Sequence, residues 1–270
     1  FTDTPKLSRS YMARYMTANK GISKHYEQQH TGPDYSLYTS FSYNDFDDLR
    51  MGEKRIHGYE EWGVVYHYIE NGEQVYNNDL NIQRNTGYSQ VDFMQKIILK
   101  THPNWIITGN FQYSNSSNIP RFDKLNDYTS SYYNVENNQT VYEKLKYNDW
   151  SYGPQKRYFS SIQLDHSLDN SLMDSAQVIF SYQDVFESRH VDQLNQEGGL
   201  EEIDRHENVD VYSMNLNFRK RQLHYGIEYY YNNVSSKTFL TDDRDENRPS
   251  PQTRYPNGGS SIASWSGYLS

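Results

Sequence analysis

The stretch QRNTGYSQVDFMQKIILKTHPNWIITGNFQYSNSSNIPRFD, residues 83–123, decides the fold. Apolar and polar residues alternate in it on both sides of a central THPN segment. The apolar positions are Val91, Phe93, Ile97 and Leu99 before THPN, and Trp105, Ile107, Phe111 and Tyr113 after it. The polar positions between them include Asp92, Lys96, Asn110 and Gln112. Because successive side chains of a β-strand point to opposite faces, this spacing predicts two antiparallel strands joined by a turn.

The same alternation returns along the rest of the chain. Its apolar positions are Tyr35, Leu37, Phe41 and Tyr43; Tyr158, Ile162 and Leu164; Ala176, Val178, Phe180 and Tyr182; Tyr212, Met214, Leu216 and Phe218; and Leu223, Tyr225, Ile227, Tyr229 and Tyr231. We expect about nine strands and the start of a tenth in the C-terminal SWSGYLS segment. Each predicted strand has about 10 to 13 residues, the length that a tilted strand needs to cross a bilayer.

The composition indicates what kind of protein can alternate this regularly without enough apolar residues for a hydrophobic core. Only 35% of the residues are hydrophobic and the mean hydropathy is −1.00, yet 27 residues are Tyr and 16% are aromatic. A soluble sandwich needs more aliphatic residues to fill the space between its sheets, and disordered chains are poor in aromatics. A transmembrane β-barrel fits both facts, because its interior is polar and its outer apolar band is narrow. We therefore predict an all-β chain that forms a segment of an antiparallel transmembrane β-barrel.

The predicted connections alternate between short and long. The short ones are residues 31–34, 101–104, 168–171 and 219–222, and the long ones are roughly 45–87, 116–156, 184–208 and 236–262. A shorter connection near residues 19–23 falls on the long side by parity. Outer-membrane barrels have short periplasmic turns and long extracellular loops, so the two kinds of connection predict the two ends of the barrel.

Several classes of function are disfavoured. The chain has no Cys, so it has no disulfide and no thiolate metal site. Its net charge of −9 argues against nucleic-acid binding. No nucleophile elbow, HExxH, P-loop or GxGxxG motif is present in the sequence. We therefore expect no enzyme, no resident cofactor and no metal site.

Five blocks carry a resemblance to a known family. They are ARYMTANK (residues 13–20), YTSFSYNDFDDLRMG (38–52), NIPRFDKL (118–125), DWSYGPQKR (149–157) and SYQDVFESRH (181–190). In this order they resemble an early-to-middle portion of the barrel of TonB-dependent outer-membrane receptors, in the Bacteroidetes-type version of the iron, haem and cobalamin group. The resemblance implies a barrel of about 22 strands around an N-terminal plug. Residues 1–270 would supply nine to ten of those strands, and the plug and the remaining strands would lie outside this chain.

The resemblance also implies a function and a location. Such a receptor lies in the outer membrane of a Gram-negative bacterium and imports a ferric siderophore, haem or a corrinoid with energy from TonB. TonB would act through the N-terminal region that this chain lacks. The chain begins at Phe1 and ends within a predicted strand, so we expect an internal piece of a longer protein. Outer-membrane lipid and lipopolysaccharide are expected partners, and a surface lipoprotein is a further candidate.

The candidate ligand-binding residues lie in the long connections, where binding residues concentrate. They are His57, Tyr59, Trp62, Tyr66, His67, Tyr68, Arg121, Trp150, Tyr152, Arg189 and His190. Aromatic rings stack on planar or glycosidic ligands, arginine holds anions and neutral imidazole is a common axial ligand of haem. The alternative for residues 61–76 is an extended hairpin with ENGE as its turn, whose rings pair across strands.

Two other classes of function stay open. One is a surface adhesin or another binding protein without transport, whose Tyr-rich loops stack on carbohydrate. The other is a passive porin, which shares the barrel and lacks a plug.

Overall fold

The computed structural model describes residues 1–56, 58–135, 139–168, 170–194, 200–242, 253–255 and 259–270. Nearly all the regular structure is antiparallel β-strand, which confirms the predicted all-β class. The strands are β1 (Lys6–Met16), β2 (Gly21–Thr31), β3 (Tyr35–Phe46), β4 (Leu49–Arg50), β5 (His67–Glu70), β6 (Glu73–Tyr76), β7 (Ile82–Gln83), β8 (Tyr88–His102), β9 (Trp105–Ser116), β10 (Ile119–Pro120), β11 (Tyr128–Asn134), β12 (Gln139–Leu145), β13 (Tyr147–Tyr152), β14 (Lys156–Ser167), β15 (Ser175–Leu194), β16 (Leu200–Lys220), β17 (Leu223–Asp242) and β18 (Ser260–Leu269). One short helix, α1 (Phe122–Leu125), follows β10.

The main sheet has twelve strands, ten of which are neighbours in the order β1-β2-β3-β8-β9-β14-β15-β16-β17-β18. This order follows the chain, and it agrees with the expected nine strands and the start of a tenth. The remaining strands lie within the long connections. They form the pairs β4–β7, β5–β6 and β11–β12, while β13 pairs with both β10 and β15.

The register divides the sheet into an apolar face and a polar face. One row of the apolar face is Tyr35, Leu99, Ile107, Leu164, Val178, Leu216 and Ile227, each opposite the next on neighbouring strands. A matching row of the polar face is Tyr38, Lys96, Asn110, Ser161, Ser181, Ser213 and Tyr230. The predicted apolar and polar positions of residues 91–113 therefore lie on opposite faces of one sheet, as expected.

Aromatic residues border the apolar face on two sides. Toward the long connections, the rings of Tyr113 and Tyr158 lie 4.9 Å apart and those of Tyr182 and Tyr212 lie 5.0 Å apart. Toward the short turns, Trp105 stacks on His166 at 3.9 Å. The apolar side chains between these borders are largely exposed, as in Ile162 (47%) and Phe180 (45%).

The short connections form one end of the sheet, which we call the turn end. The THPN segment reduces to a turn between His102, the last residue of β8, and Trp105, the first residue of β9. The connection expected near residues 19–23 occupies residues 17–20. The opposite end, which carries the long connections, is called the loop end.

The predicted strand length of about 10 to 13 residues is confirmed for β1, β2, β3, β9, β14 and β18, but it was wrong for three long strands, and so were two predicted loops. Strands β15, β16 and β17 have 20, 21 and 20 residues, so most of residues 184–208 and 236–242 is paired strand. At about 3.3 Å per residue these strands span roughly twice the thickness of a bilayer core. The apolar residues also change face there: Val191, Ile203 and Leu240 lie on the polar face, so the alternation of the membrane-facing band ends although the strands continue.

Those residues contribute to a small core at the loop end. Val191 and Ile203 pack with Leu125, Tyr147 and Trp150 in a cluster of buried residues. Helix α1 and strand β13 thus cover the polar face beyond the apolar band. Within the second long connection, residues 119–125 form β10 and α1.

Candidate ligand-binding site at the loop end

Two hairpins build the first cluster of candidate residues. Strands β5 and β6 are joined by Asn71 and Gly72, whose φ values of 53° and 81° fit the tight turn of a two-residue hairpin. The expected ENGE turn is therefore confirmed. Gln74 on β6 connects this hairpin to β11–β12: its amide donates to the carbonyl of Glu143 at 2.8 Å and its carbonyl accepts from the N–H of Leu145 at 2.8 Å.

The aromatic rings of the two hairpins contact one another. We call Tyr66, His67, Tyr76, Tyr128 and Tyr142 the hairpin cluster. Tyr128 and Tyr142 lie 4.7 Å apart, and Tyr142 stacks on Tyr66 at 5.7 Å. His67 meets the edges of Tyr76 at 5.8 Å and of Tyr128 at 5.9 Å. Two of the predicted residues, Tyr66 and His67, therefore come together, although their rings mainly pack against other rings.

Burial sets the protonation of this cluster. It lowers the pKa of His67, so the imidazole is neutral near pH 7. Burial also raises the pKa of Tyr128 to about 12. The two groups are 3.3 Å apart, from Nδ1 of His67 to the hydroxyl of Tyr128. A neutral imidazole is the form that ligates a metal or haem iron.

The second cluster lies on β13, β15 and the N-terminal side of α1. We call Arg121, Trp150, Tyr152 and Arg189 the tryptophan cluster. The register places Trp150 opposite Val191 and Tyr152 opposite Arg189. The guanidinium carbon of Arg121 lies 4.5 Å from the centre of the Trp150 ring, and that of Arg189 lies 5.2 Å from the centre of the Tyr152 ring. Arg121 is also paired with Asp123 at 2.9 Å.

Trp150 is buried within the loop-end core, with only 8% of its surface exposed. The cluster therefore combines a structural ring with cationic groups held over it. Such cation–π contacts stabilise the cluster and orient the guanidinium groups.

His190 lies on the opposite face from Arg189, because neighbouring strand residues point in opposite directions. Its Nδ1 pairs with a carboxylate oxygen of Asp204, and its Nε2 lies 2.8 Å from the carbonyl of Gly153. His190 thus ties β15 to β16 and to the segment before β14. It does not join the tryptophan cluster.

The remaining predicted residues are more scattered. Tyr59 and Trp62 precede the β5–β6 hairpin and are 72% and 66% exposed. Tyr68 faces Arg84, whose guanidinium carbon is 5.1 Å from the ring centre. His57 lies outside the described residues.

The sequence analysis missed residues that complete both clusters. Tyr128 and Tyr142 come from the second long connection, where the local signal is four tyrosines within residues 128–142. Arg205 lies opposite Arg189, in the N-terminal part of β16 that was assigned to a loop. No local signal identifies it.

The described residues contain neither a three-ligand metal cluster nor a membrane-spanning helix. Among them, no group of three or more His, Asp or Glu side chains is placed to hold a metal ion. In the same part of the chain, no helix has the length and apolar character needed to cross a membrane.

The fold belongs to a recognisable class. An antiparallel sheet whose strands follow the chain order, with one apolar and one polar face, is the arrangement of β-barrel walls. No protein-family model matches the chain, and no curated protein matches it.

Among solved structures, the chain is similar to one named Copper transporter OprC, with a TM-score of 0.51 and 8% sequence identity. The similarity covers 98% of this chain and 32% of that chain. At this identity the similarity concerns the fold alone, and the chain spans only part of the length of that transporter.

Proposed function

We propose that the chain forms part of the wall of a barrel in the bacterial outer membrane and that its loop end captures a nutrient for import. The apolar face carries this proposal. The row that runs across this face from Tyr35 on β3 to Ile227 on β17 contains no charged residue. An exposed apolar surface of this extent needs a partner, and lipid fits it because aromatic residues border it on two sides.

The polar face fits the interior of such a barrel. Asp92 accepts a hydrogen bond from Ser114 at 2.7 Å, and Arg157 donates to Gln183 at 2.9 Å and to Gln112 at 3.1 Å. Such networks suit the wet or plugged interior of a barrel. The turn end would then face the periplasm and the loop end the exterior, where lipopolysaccharide surrounds it.

The ligand is proposed to bind in the loop-end clusters. The hairpin cluster offers tyrosine rings and a neutral imidazole, and the tryptophan cluster offers guanidinium groups. Ferric siderophores, haem and corrinoids are the classes that the family resemblance implies, and the name of the structurally similar transporter adds copper. Import would draw energy from TonB through a region outside this chain, and a surface lipoprotein would be an accessory partner.

Two tryptophans in the chain test the membrane orientation. Trp265 lies on the apolar face, 4.3 Å from Tyr229 and 68% exposed, whereas Trp150 is buried in the loop-end core. Variants that retain only one tryptophan would be reconstituted with lipids brominated on the acyl chains. We expect bromine to quench Trp265 and to leave Trp150 almost unchanged. Quenching of Trp150 alone, or of neither residue, would contradict the proposed wall.

A haemin titration tests one ligand class. Haem ligation by His67 predicts a Soret band that is lost in His67→Phe and kept in His102→Phe, a control at the turn end. If both variants bind haemin like the original protein, His67 is not the ligand.

A transport assay separates the proposed receptor from a passive porin. Nutrient uptake that persists without TonB, together with passive ion conductance, would favour the porin.

A further inference from the structure

Two arginines face each other at the loop end. Arg189 on β15 lies directly opposite Arg205 on β16, on the polar face. Both residues are half-buried. Like charges directly opposite each other destabilise an antiparallel pair. The arrangement therefore needs a compensating group.

The described residues do not supply that group. Within this part of the chain, no hydrogen bond and no ion pair reaches either guanidinium; Arg189 has only its contacts with the Trp150 and Tyr152 rings. The Nε of Arg189 is buried without a hydrogen-bond partner, and so is the hydroxyl of Thr238. Buried polar groups of this kind are rare, because each one loses its hydrogen bonds to water.

These unpaired donors lie in one row. The register runs from Tyr152 to Arg189, Arg205 and Thr238 across four neighbouring strands. The donors therefore converge on one place on the polar face. Trp150 and Ile203, one pair of positions farther toward the tip of the sheet, close that side with buried apolar surface.

The nearest acidic residues leave the row cationic. Glu187 and Glu207 occupy the adjacent row, opposite each other. Glu207 is paired with Arg254 at 3.4 Å. Burial lowers the pKa of Arg205 and the positive charge of Arg189 lowers it further, and the carboxylates of Glu207 and Glu201 offset this only in part.

We propose that Arg189, Arg205 and Thr238 bind an oxyanion, either a carboxylate or a phosphate. A planar guanidinium offers paired N–H donors that match the two oxygens of either group. The hydroxyl of Thr238 supplies a further donor. A bound anion would remove the repulsion between the arginines and give the buried Nε an acceptor.

The position of the row indicates the source of the anion. It lies on the face opposite the apolar band, so the phosphates of surrounding lipid do not reach it. A carboxylate or phosphate group of the imported ligand can reach the row from the interior of the barrel. This assignment of the source rests on the proposed function, whereas the site itself does not.

Calorimetric titration of the detergent-purified protein with sodium phosphate and sodium citrate, at constant ionic strength, tests the site. We expect saturable binding of one or both anions. Arg189→Gln and Arg205→Gln should each weaken it about 10-fold to 100-fold, the range for a lost charged hydrogen bond. Arg157→Gln is the matched control, since Arg157 lies on the same face with acceptors in place.

The Arg205→Lys variant distinguishes binding by a specific arrangement of N–H donors from binding by positive charge alone. It keeps the charge and loses the fork of donors, so we expect binding weaker than in the original protein. Equal binding by Arg205→Lys would overturn the proposal. A second result would also overturn it: phosphate and citrate do not bind, and Arg205→Gln raises the melting temperature in anion-free buffer. The two arginines would then only repel each other.

Binding and uptake fail separately in these experiments. Anion binding without any import of nutrient would keep the site and remove the proposed function. Import that is unchanged in an Arg205→Gln variant lacking anion binding would show that the site does not hold the ligand, and it would overturn the assigned source.

Discussion

Replacing Ile97 with lysine tests which face of the sheet meets lipid. Ile97 lies on the apolar face, opposite Gly109 on β9, and it is 37% exposed. The next residue, Ile98, lies on the polar face opposite Ser36 and Thr108. The same substitution at these two adjacent positions therefore places the same charge on opposite sides of one strand.

The expected costs differ widely. A lysine on the lipid-facing side near the middle of the bilayer costs about 2–4 kcal/mol. Because each 1.4 kcal/mol is about tenfold, Ile97→Lys should reduce the ratio of folded to unfolded protein about 30-fold to 700-fold. Ile98→Lys should cost less than about 1 kcal/mol, since its amine enters a polar, wet environment. Lys96→Glu, on the same polar face, should also be tolerated.

The assay is a urea titration of the protein folded into phospholipid vesicles, followed by tryptophan fluorescence and far-ultraviolet circular dichroism. A parallel measurement is the amount of folded protein recovered from bacterial outer membranes. The reasoning is refuted if Ile98→Lys or Lys96→Glu destabilises the protein as much as Ile97→Lys. That ranking would place lipid on the polar face.

Three further predictions concern the sheet and the hairpin cluster. Gly109→Ala should stabilise the protein by about 0.5–1 kcal/mol, because the added Cβ enters open space. Gly226→Ala should destabilise it, because its Cβ would lie 2.4 Å from a backbone oxygen of β16; urea midpoints compare the two. Burial lowers the folded-state pKa of His67 below its unfolded value, so the stability of the hairpin cluster should be complete above about pH 6.5 and fall as the pH drops toward the folded pKa. Hydrogen exchange of β5 and β6 measures this. Gln74→Ala should cost about 1–3 kcal/mol locally, because the N–H of Leu145 loses its acceptor, and faster exchange of that N–H reports the loss.

Each of these predictions has its own control. Equal midpoints for the two glycine variants would mean that the cross-strand contact relaxes without cost. A His67→Phe variant should show no fall in protection between pH 7.5 and 5, and an unchanged fall would assign it to another group. Gln74→Glu keeps an acceptor and loses the donor, so it should protect the N–H of Leu145 better than Gln74→Ala does.

The alternation along β8 and β9 was sufficient to predict their strands, their faces and the turn between them. Period-two spacing is a local property, and a one-residue error would move every side chain to the other face. The same reasoning failed for residues 184–208, which were assigned to a loop and are mostly paired strand. There the apolar residues change face, so Val191 and Ile203 belong to a core on the polar side and the alternation is read as interrupted.

The sequence by itself determined the all-β class, the ten strands that follow one another across the main sheet and the apolar face that runs across them. These follow from side-chain periodicity and turn position, which each strand carries within itself. Only the tertiary structure decided which loop-end residues meet. Tyr128 reaches His67 because two hairpins pack together, and Arg189 faces Arg205 because the β15–β16 register aligns them. Register between distant segments depends on all the pairings of a sheet at once, so no local pattern in the sequence shows that these arginines share one place.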